Sequence, residues 1–479
     1  MSDAALGSKA AELWAAYPKT LAAARKRRGR RDAVEVGVES FDGLDAVVAR
    51  LDFDFLGGSM GRDHGDAIVA ALDRATRDNL PFVSIVRSGG ARMQEGFDAL
   101  FQMARTSGAM ARARKAGVPT ISWLRHPTTG GVHASYASAS DVLLADRGAT
   151  LGFAGPRVMH ALAGVFPMKG SHTAEQYFAD GLIDELVDES TALSRIGVWL
   201  RLAHPAARVM PTPAEMPEES TRRLTGWDAL RCARDDSRPT ARQVASEVFD
   251  TVAELGGART GTNDDVMFAA LASLGGAPVV VIGTDRNAVG PNGYRGAPTA
   301  AGFRKAQRAI DLASRWKLPI VTLIDTRGAD ASTPSDRAGL ANAIAETAVA
   351  LMEATVPTVA AVVGEGGSGG AMALAVCDRL LMQDDAVFEV IAPEGAAAIL
   401  FKDPGLAADV ADQLGLGAAE LRTRGYSDHT LSGPSFAGAA ESNGVLRQAL
   451  TSQLALLSRQ SADERGAARH RRYGASEGN

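Results

Sequence analysis

The most constraining feature of the sequence is GEGGSGGA, residues 364–371, which follows the apolar run VPTVAAVV. Five of its eight residues are glycine. A continuous apolar run predicts a buried strand. Glycine permits positive φ angles and lets a ligand or another segment approach the main chain closely. We therefore expect a buried strand that ends in a close-packed backbone loop, with the free N–H groups of a following helix beside it.

The same arrangement recurs in the first half of the chain. FVSIVRSGGA at 82–91 matches IVTLIDTRGA at 320–329, an offset of 238 residues, and VPTISWLRHPTTGG matches VPTVAAVVGEGGSGG. In the segments that follow, Asp141 pairs with Asp378 and Pro156 with Pro393. Such self-similarity predicts one fold used twice, with two related pockets.

Three glycine loops are candidates for function: residues 88–91, 129–131 and 366–371. Backbone N–H groups in such loops can form an oxyanion hole, in which loss of one donor costs about 3–4 kcal/mol of transition-state stabilisation. The alternative is that each Gly-Gly pair only avoids a clash between helix and strand. Three loops at matched positions favour the functional interpretation. The sequence has no GxxxxGK[ST], GxSxG or HExxH motif, so P-loop, serine-hydrolase and zinc-protease chemistry are not indicated.

The order of elements predicts an α/β protein. Nearly all-apolar strands alternate with helical segments, which indicates β-sheets covered by helices. A length of 479 residues favours two domains. A proline-rich stretch between residues 204 and 226 places the boundary, giving predicted domains 1–215 and 216–479.

Bulk properties exclude several classes of function. A net charge of −5 argues against a general nucleic-acid binder. Cys232 and Cys377 lie far apart without a CxxC, which disfavours disulfides or structural zinc and fits a reducing cytoplasm. Because no uninterrupted apolar run is long enough to span a bilayer, no membrane association is expected.

Several local patterns carry weaker expectations. Residues 1–40 are interpreted as helical and then basic; the run AARKRRGRR is favoured as a solvated helix face, with an anion-binding patch as the alternative. Residues after Gln460 are polar and expected to be disordered. Glu95 and Glu394 are expected to orient loops rather than act as bases. Three histidines near the second loop could contact a ligand: His126, His133 and His160.

Specific motifs resemble a known enzyme family. SGGARMQEG at 88–96, PTTGGVHASYA and GFAGPRV resemble the β subunit of bacterial acetyl-CoA carboxylase carboxyltransferase. RTGTNDD at 259–265, GFRKAQRAIDLASRWKLPIVTLIDT and GEGGSGGAMALAVCDRLLM resemble the α subunit. The resemblance implies a fused carboxyltransferase with two tandem crotonase-like domains, the β-like half first.

The resemblance also implies ligands and roles. The family moves a carboxyl group from carboxybiotin to the α-carbon of an acyl-CoA, and both half-reactions generate an oxyanion. Biotin is expected on a separate carrier protein and biotin carboxylase on another chain; no metal is expected, and the chain is expected to form a homo-oligomer. By resemblance, Gly89, Gly90, Gly130 and Gly131 serve the thioester, and Gly369 and Gly370 serve biotin. The implied substrate-binding residues are Ala91, Arg92, Gly328 and Ala371.

The chain departs from the family pattern in the biotin half. TRGADASTPSDR at 326–337 stands where TPGAYPGVGAEE is usual, so Arg327 replaces a proline. Glu389 stands at a serine position. These departures leave a second function open, a biotin-independent decarboxylase of malonyl-type thioesters. A scaffolding subunit without activity is a third, which the intact SGGAR and GEGGSGGA motifs argue against.

Overall fold

The computed structural model describes residues 3–155, 159–161, 164 and 170–474. The chain divides into two compact units: unit 1 comprises Met1–Ala179 and Ile183–Pro205, and unit 2 comprises Asp180–Leu182 and Ala206–Asn479. Residues 208–225 carry neither helix nor strand, and the boundary predicted after residue 215 falls inside this stretch. No helix in the described ranges is both long and apolar enough to cross a bilayer.

Unit 1 is built on one mostly parallel sheet of order β1-β2-β3-β4-β5-β7, with β6 paired to β4. Among the strand pairs of the described residues of unit 1, the β1–β2 hairpin is antiparallel and the other pairs are parallel. The turn of this hairpin has positive φ at Asp42 and Gly43, the geometry that an Asp-Gly hairpin turn requires. The strands are β1 Val34–Phe41, β2 Leu44–Leu51, β3 Phe82–Ser88, β4 Thr120–Thr129, β5 Val142–Asp146, β6 Leu151–Gly152 and β7 Glu185–Val187.

Helices cover the sheet of unit 1 through apolar faces. Ile68, Leu72 and Ala75 of α2 recur at helical spacing and are fully buried, as the sequence pattern predicts. The helices are α1 Asp3–Arg28, α2 Arg62–Asp78, α3 Phe97–Lys115, α4 Gly130–Val132, α5 Ala174–Ala179 and α6 Ala192–Ala203. Shorter turns lie at Leu56–Gly58, Met93–Glu95, His133–Ala137 and Pro205–Ala207.

Unit 2 repeats this plan around a sheet of order β15-β13-β12-β11-β10-β9-β8, with β14 paired to β12. The β8–β9 and β9–β10 pairs are antiparallel, and the other strand pairs, beginning with β10–β11, are parallel. The strands are β8 Thr251–Glu254, β9 Met267–Leu274, β10 Ala277–Thr284, β11 Ile320–Thr326, β12 Thr358–Gly367, β13 Arg379–Gln383, β14 Val387–Glu389 and β15 His429–Leu431.

The helices of unit 2 include the counterpart of α2, which is α9. Both helices end in a left-handed residue, Asn79 in α2 and Lys317 in α9. The helices are α7 Gly226–Ala233, α8 Ala241–Val248, α9 Ala300–Trp316, α10 Thr333–Arg337, α11 Leu340–Met352, α12 Ser368–Ala375, α13 Pro393–Phe401, α14 Ala407–Leu414, α15 Ala418–Thr423, α16 Pro434–Ala437, α17 Ala439–Leu457 and α18 Ala462–Tyr473, with a short turn at Pro404–Leu406.

Both units contain the same irregularity between their two central strands. In unit 1 the register passes from Val86↔Leu124 to Ser88↔Thr128. In unit 2 it passes from Ile324↔Val362 to Thr326↔Gly366. The end of the longer strand then pairs with a short extra strand, β6 or β14. Each sheet therefore splits at the carboxyl ends of its central strands, where the glycine loops lie.

The predicted pairing of Asp141 with Asp378 is visible in side-chain contacts. One carboxylate oxygen of Asp141 accepts from the amide and hydroxyl of Thr120 at 3.1 and 2.8 Å. Asp378 does the same for Thr358 at 2.9 and 3.1 Å. Pro156, of the other predicted pair, lies outside the described residues.

The expectation of a disordered tail is wrong for residues 462–473, which form α18. Ser461 and Glu464 cap its start reciprocally. Arg469 is 1% exposed and donates to Asp378 at 2.8 Å and to carbonyls at the end of α11. The polar composition misleads because the helix docks through buried arginines that satisfy carbonyl groups, instead of through apolar side chains.

The N-terminal segment also differs from its interpretation as helical and then basic. Helix α1 is present, but the strand β1 follows it and was missed, although VEVGVESF alternates as a strand does. Several arginines of the basic run form ion pairs within unit 1. Arg25 and Arg31 both contact Asp63, and Arg28 contacts Asp52.

Candidate functional site

The first candidate site is the junction of two loops in unit 1, residues 88–91 after β3 and 129–131 after β4. Gly90 and Gly130 have φ angles of +110° and +64°. A Cβ on Gly130 would lie 2.8 Å from the Cα of Gly90, and one on Gly90 would lie 3.1 Å from the Cα of Gly130. The two loops of unit 1 therefore touch backbone to backbone, at a separation that leaves no room for a Cβ on Gly130.

Three of the four glycine amides predicted to be catalytic are used inside the fold. The amide of Gly89 donates to the carbonyl of Gly57 at 2.9 Å, and that of Gly130 donates to Phe153 at 2.9 Å. The amide of Gly90 donates to the hydroxyl of Ser88 at 3.0 Å. These amides fix the loops in place.

The amides of Ala91 and Gly131 remain. In the described part of unit 1, no hydrogen bond uses either of them. A Cβ on Gly90 would be 3.5 Å from the nitrogen of Gly131, and a Cβ on Gly130 would be 3.8 Å from that of Ala91. Both nitrogens thus border the same glycine contact, as a pair of oxyanion donors requires.

The backbone after Gly131 departs from regular α-helical geometry. A π-helical turn, His133–Ala137, follows α4 directly, and the hydroxyl of Ser135 donates to the carbonyl of Gly131 at 2.6 Å. Turns of this kind are frequent at functional sites. This one fixes the peptide next to the proposed donor.

Arg92 and Glu95 form hydrogen bonds that fix the position of the first loop, residues 88–91. Arg92 is 2% exposed, and its guanidinium donates to both oxygens of Asp32 at 2.7 and 2.8 Å. It also donates to Glu95 at 3.0 Å, and Glu95 accepts from the amide of Arg62 at 2.6 Å. This agrees with the expectation that Glu95 orients a loop.

Of the three histidines near the second loop, His133 is buried, whereas His126 and His160 are exposed. Burial lowers the pKa of His133 to about 4, and its ring lies 5.7 Å from that of Tyr177. His126 accepts from the amide of Thr150 at 3.1 Å. The carbonyl of His160 accepts a hydrogen bond from the amide of Gly164 at 2.9 Å.

One buried histidine was missed from sequence. His64 contacts the Tyr136 hydroxyl at 3.0 Å, and burial lowers its pKa to about 4. A lone histidine on a helix gives no sequence signal for such a pair.

The second candidate site is the equivalent junction in unit 2. Thr326 repeats the role of Ser88: its hydroxyl donates to the carbonyl of Gly296 at 2.7 Å and accepts from the amide of Gly328 at 3.1 Å. Ser88 donates to Gly58 at 2.7 Å in the same way. Gly328 has a φ angle of +132°.

The glycines of GEGGSGGA are explained by close contacts. A Cβ on Gly367 would lie 2.2 Å from the carbonyl oxygen of Arg327, and one on Gly370 would lie 2.7 Å from the nitrogen of Ala329. Gly369 has open space around it. Ser368, with a φ angle of +55°, occupies the place of Gly130.

The donor pair of unit 2 follows from this register. Gly369 stands where Gly131 stands in unit 1, and Ala329 stands where Ala91 does. Neither amide takes part in a hydrogen bond within the described part of unit 2. Ala371, predicted to bind substrate, is fully buried within α12.

Charged side chains distinguish this second junction. Glu365 is 3% exposed and accepts from Arg234 at 2.6 and 2.8 Å, while Arg234 also donates to Glu394 at 2.6 Å. Asp325 is fully buried and accepts from Arg286 at 2.9 Å. Burial raises the pKa of Asp325 to about 6.

Glu389 lies beside Glu365 at the end of β14, in register with Gly367. It is 4% exposed, and neither carboxyl oxygen has a hydrogen-bond partner among the described residues. Burial, and then the negative charge of Glu365, raise the pKa of Glu389 to about 8. Burial beside Glu365 therefore favours the protonated form of Glu389.

The altered loop at 326–337 is ordered. Asp330 accepts from the side chain of Asn292 at 2.7 Å and from the amide of Ser332 at 2.9 Å. Helix α10 begins directly after Ser332. Within the described ranges, no cluster of three or more His, Cys, Asp or Glu residues is arranged to hold a metal ion.

Comparisons with known proteins agree on one family. Residues 200–476 match the family described as acetyl co-enzyme A carboxylase carboxyltransferase-like. The chain is 42% identical, over 87% of its length and 76% of the relative's, to "Acetyl-coenzyme A carboxylase carboxyl transferase subunits beta/alpha" of Salinispora arenicola. It is 36% identical, over 95% of its length and 92% of the relative's, to "Probable biotin-dependent acyl-coenzyme A carboxylase beta3 subunit" of Mycobacterium tuberculosis.

A solved structure supports the fold. Transcarboxylase 12S, described as a hexamer with methylmalonyl-coenzyme A bound, superposes with a TM-score of 0.73 at 20% sequence identity. The superposition covers 89% of this chain and 82% of that one. The expected α/β fold, with two tandem crotonase-like sheets covered by helices, is confirmed.

Proposed function

Because the chain belongs to the acetyl-CoA carboxylase carboxyltransferase family, we propose that it moves a carboxyl group from carboxylated biotin to the α-carbon of an acyl-CoA. The product is a malonyl-CoA-type thioester. One observation carries this proposal: each unit has the same loop junction with two unengaged amides. Two donor pairs match a reaction with two half-reactions, each of which develops one oxyanion.

Unit 1 holds the thioester in this proposal. The amides of Ala91 and Gly131 donate to the thioester oxygen, which becomes negative when the α-proton passes to the urea anion that the carboxyl donor leaves after release of carbon dioxide. The enolate carbon then forms the new bond to carbon dioxide. Gly89, Gly90 and Gly130 act by holding the donor peptides in place. Met103 supplies an apolar wall, since a Cβ on Gly131 would lie 3.1 Å from its sulfur.

Unit 2 holds the carboxyl donor. Bound carboxybiotin supplies carbon dioxide and a urea whose oxygen becomes anionic. The amides of Ala329 and Gly369 fit that oxygen as paired donors. Gly328 and Gly370 let the two loops close on each other, and the buried Ala371 supports the helix behind them.

Arg92 is a positioning residue in this account. Its guanidinium is buried and bonded to Asp32, Ser59 and Glu95, so it holds the loop that presents Ala91. A direct contact with substrate would require these bonds to break.

The partners follow from the chemistry. We propose that a biotinylated carrier protein and a biotin carboxylase on other chains deliver the donor. Both cysteines are free thiols, which accords with a cytoplasmic location.

A homo-oligomer would cover two apolar faces. On unit 1, Met93 and Phe97 are 75% and 72% exposed; on unit 2, Ile399 and Leu400 are 62% and 68% exposed. Exposed apolar clusters of this size mark interaction surfaces. Mass photometry of the purified chain gives the oligomeric state, and a monomer at micromolar concentration would contradict this part of the proposal.

The direct test is transfer by the purified chain. Carboxylated biocytin, with the carboxyl carbon labelled with ¹³C, is incubated with a panel of acyl thioesters of CoA and of an acyl carrier protein. We expect label in the α-carboxyl group of at least one product. No labelled product across the panel would overturn the proposal.

A second candidate is biotin-independent decarboxylation of malonyl-type thioesters. Glu389 and Arg327, at the proposed donor site, favour it because they replace the usual serine and proline there. The donor pair of unit 1 suffices to stabilise the enolate that loss of carbon dioxide leaves. Release of carbon dioxide from malonyl-CoA without biotin, together with no transfer from carboxylated biocytin, would assign this function instead.

A further inference from the structure

A cavity of about 270 Å³ lies beside the loop that follows β11 in unit 2. Its lining includes four arginines, Arg234, Arg286, Arg295 and Arg327, and three carboxylates. Glu394, which accepts from Arg234 at 2.6 Å, adds a fourth carboxylate beside the lining. The volume is below that of pockets for drug-sized ligands, roughly 300–1,000 Å³, so the cavity suits a small group.

Two of these arginines are committed to the fold. Arg234 binds Glu365 and Glu394 through three short hydrogen bonds of 2.6 to 2.8 Å. Arg286 binds Asp325 at 2.9 Å and the carbonyl of Pro239 at 3.3 Å. Their charges are compensated by the carboxylates of the lining.

The other two arginines are available to a ligand. The side chain of Arg327 is 70% exposed, and its only ion pair in the described part of unit 2 is a distant one, with Nε 3.6 Å from Glu365. Arg295 is exposed, and no hydrogen bond or ion pair within the described ranges engages it. Arg295 and Arg327 are the chain neighbours of Gly296 and Thr326, which are joined by a 2.7 Å hydrogen bond. This bond brings the two arginines to one rim of the cavity.

We propose that Arg295 and Arg327 form a subsite for a single carboxylate, that of the carboxyl donor. Guanidinium groups bind carboxylates with paired, charge-assisted hydrogen bonds. Because Arg234 and Arg286 are paired with carboxylates and two arginines are left at the rim, the subsite suits a monoanion, whereas the carboxylates in the wall repel a phosphate dianion. The identity of the donor as carboxylated biotin rests on the proposed function; the subsite itself does not.

Chemical protection tests the subsite without any enzymatic turnover. Phenylglyoxal modifies accessible arginines, and peptide mass spectrometry reports each position. We expect acetate, bicarbonate and carboxylated biocytin to protect Arg295 and Arg327 together, with carboxylated biocytin effective at the lowest concentration. Arg337, exposed on nearby α10, should stay equally reactive. Equal protection of Arg337, no protection, or stronger protection by inorganic phosphate would overturn the proposal.

Kinetics of three matched variants supply the second arm. In Arg295→Gln and Arg327→Gln we expect the KM for carboxylated biocytin to rise about tenfold, as for one lost charge-assisted contact. The KM for the acyl-CoA should not change, and Arg337→Gln should match the parent chain. Unchanged donor KM in an active enzyme would overturn the subsite. A parent chain without any transfer would overturn the proposed function, while the protection experiment would still decide on the subsite.

Discussion

The two loop junctions share a backbone and differ in their side chains. Gly89, Gly130 and Gly152 of unit 1 correspond to Arg327, Ser368 and Glu389 of unit 2. Both junctions keep the hydroxyl that ties the first loop, the positive φ angle in the second, and two free amides. The donor geometry therefore belongs to the fold, and under the proposed function the side chains around it distinguish the ligand of one copy from that of the other.

The largest expected effect comes from replacing Gly130 of unit 1 by serine, the residue at the equivalent position, Ser368, of unit 2. Gly130→Ser places a Cβ 2.8 Å from the Cα of Gly90, which forces the two donor loops apart. We expect kcat for carboxyl transfer to fall about 10³-fold, as when an oxyanion donor is lost. Steady-state kinetics measure this. Gly148→Ser is the control, because Gly148 also has positive φ but open space around it; equal losses in both variants would show that backbone strain alone is responsible.

A second test compares how much the arginine beside each of the equivalent aspartates, Asp141 and Asp378, contributes to stability. Arg469→Ala leaves Asp378 and several carbonyls buried without their partner, so we expect unit 2 to lose about 3 kcal/mol of unfolding free energy. Arg114 lies 3.9 Å from Asp141 and is 44% exposed, and Arg114→Ala should cost less than about 1 kcal/mol. Denaturant titration measures both. Similar losses of unfolding free energy in the two variants would mean that Arg469 of α18 stabilises unit 2 no more than the half-exposed Arg114 stabilises unit 1.

A third test uses two adjacent glycines of the motif GEGGSGGA. A Cβ on Gly370 would lie 2.7 Å from the nitrogen of Ala329, whereas one on Gly369 meets nothing within 4 Å. Gly370→Ala should therefore reduce transfer from carboxylated biocytin about 10²-fold. Gly369→Ala keeps its amide and should lose less than about threefold. The same transfer assay measures both variants. A larger loss in Gly369→Ala than in Gly370→Ala would contradict the assignment of the donor pair.

The smallest expected effect concerns Glu389, whose equivalent in unit 1 is Gly152. Its pKa is about 8 in the folded protein against 4.5 for an ordinary glutamate. Between these values the folded state binds a proton that the unfolded state has released, so stability falls as pH rises from about 5 to 8. Glu389→Gln removes this dependence. The melting temperature of the variant, relative to the parent chain, should rise by a few degrees across this range.

Glu346→Gln, on the exposed face of α11, is the control for the pH experiment. Its melting curve should stay parallel to that of the parent chain. Parallel curves for Glu389→Gln as well would contradict a protonated Glu389.

Much of the fold was readable because the strands are continuous apolar runs and the helices α2 and α9 have clear periodicity. The duplication was readable from the offset of 238 residues. The strand β1 was missed because its neighbours are basic and helical. Helix α18 was missed because buried arginines look like solvated ones in a sequence.

The loops of the candidate site could be predicted from the sequence, but the individual free amides could not. The sequence pointed to Gly89, Gly90 and Gly130, but which amide is free depends on acceptors such as Gly57 and Phe153, which lie far away along the chain. Likewise, the burial of Arg92 and the lack of partners for Glu389 are properties of packing.

A crystal structure with an unreactive analogue of a malonyl-type CoA thioester tests the donor pair of unit 1 most directly. We expect the oxygen in the place of the thioester carbonyl to lie about 3 Å from both the Ala91 and Gly131 nitrogens. An oxygen held instead by side chains, or by the amides of Ala329 and Gly369, would contradict this assignment.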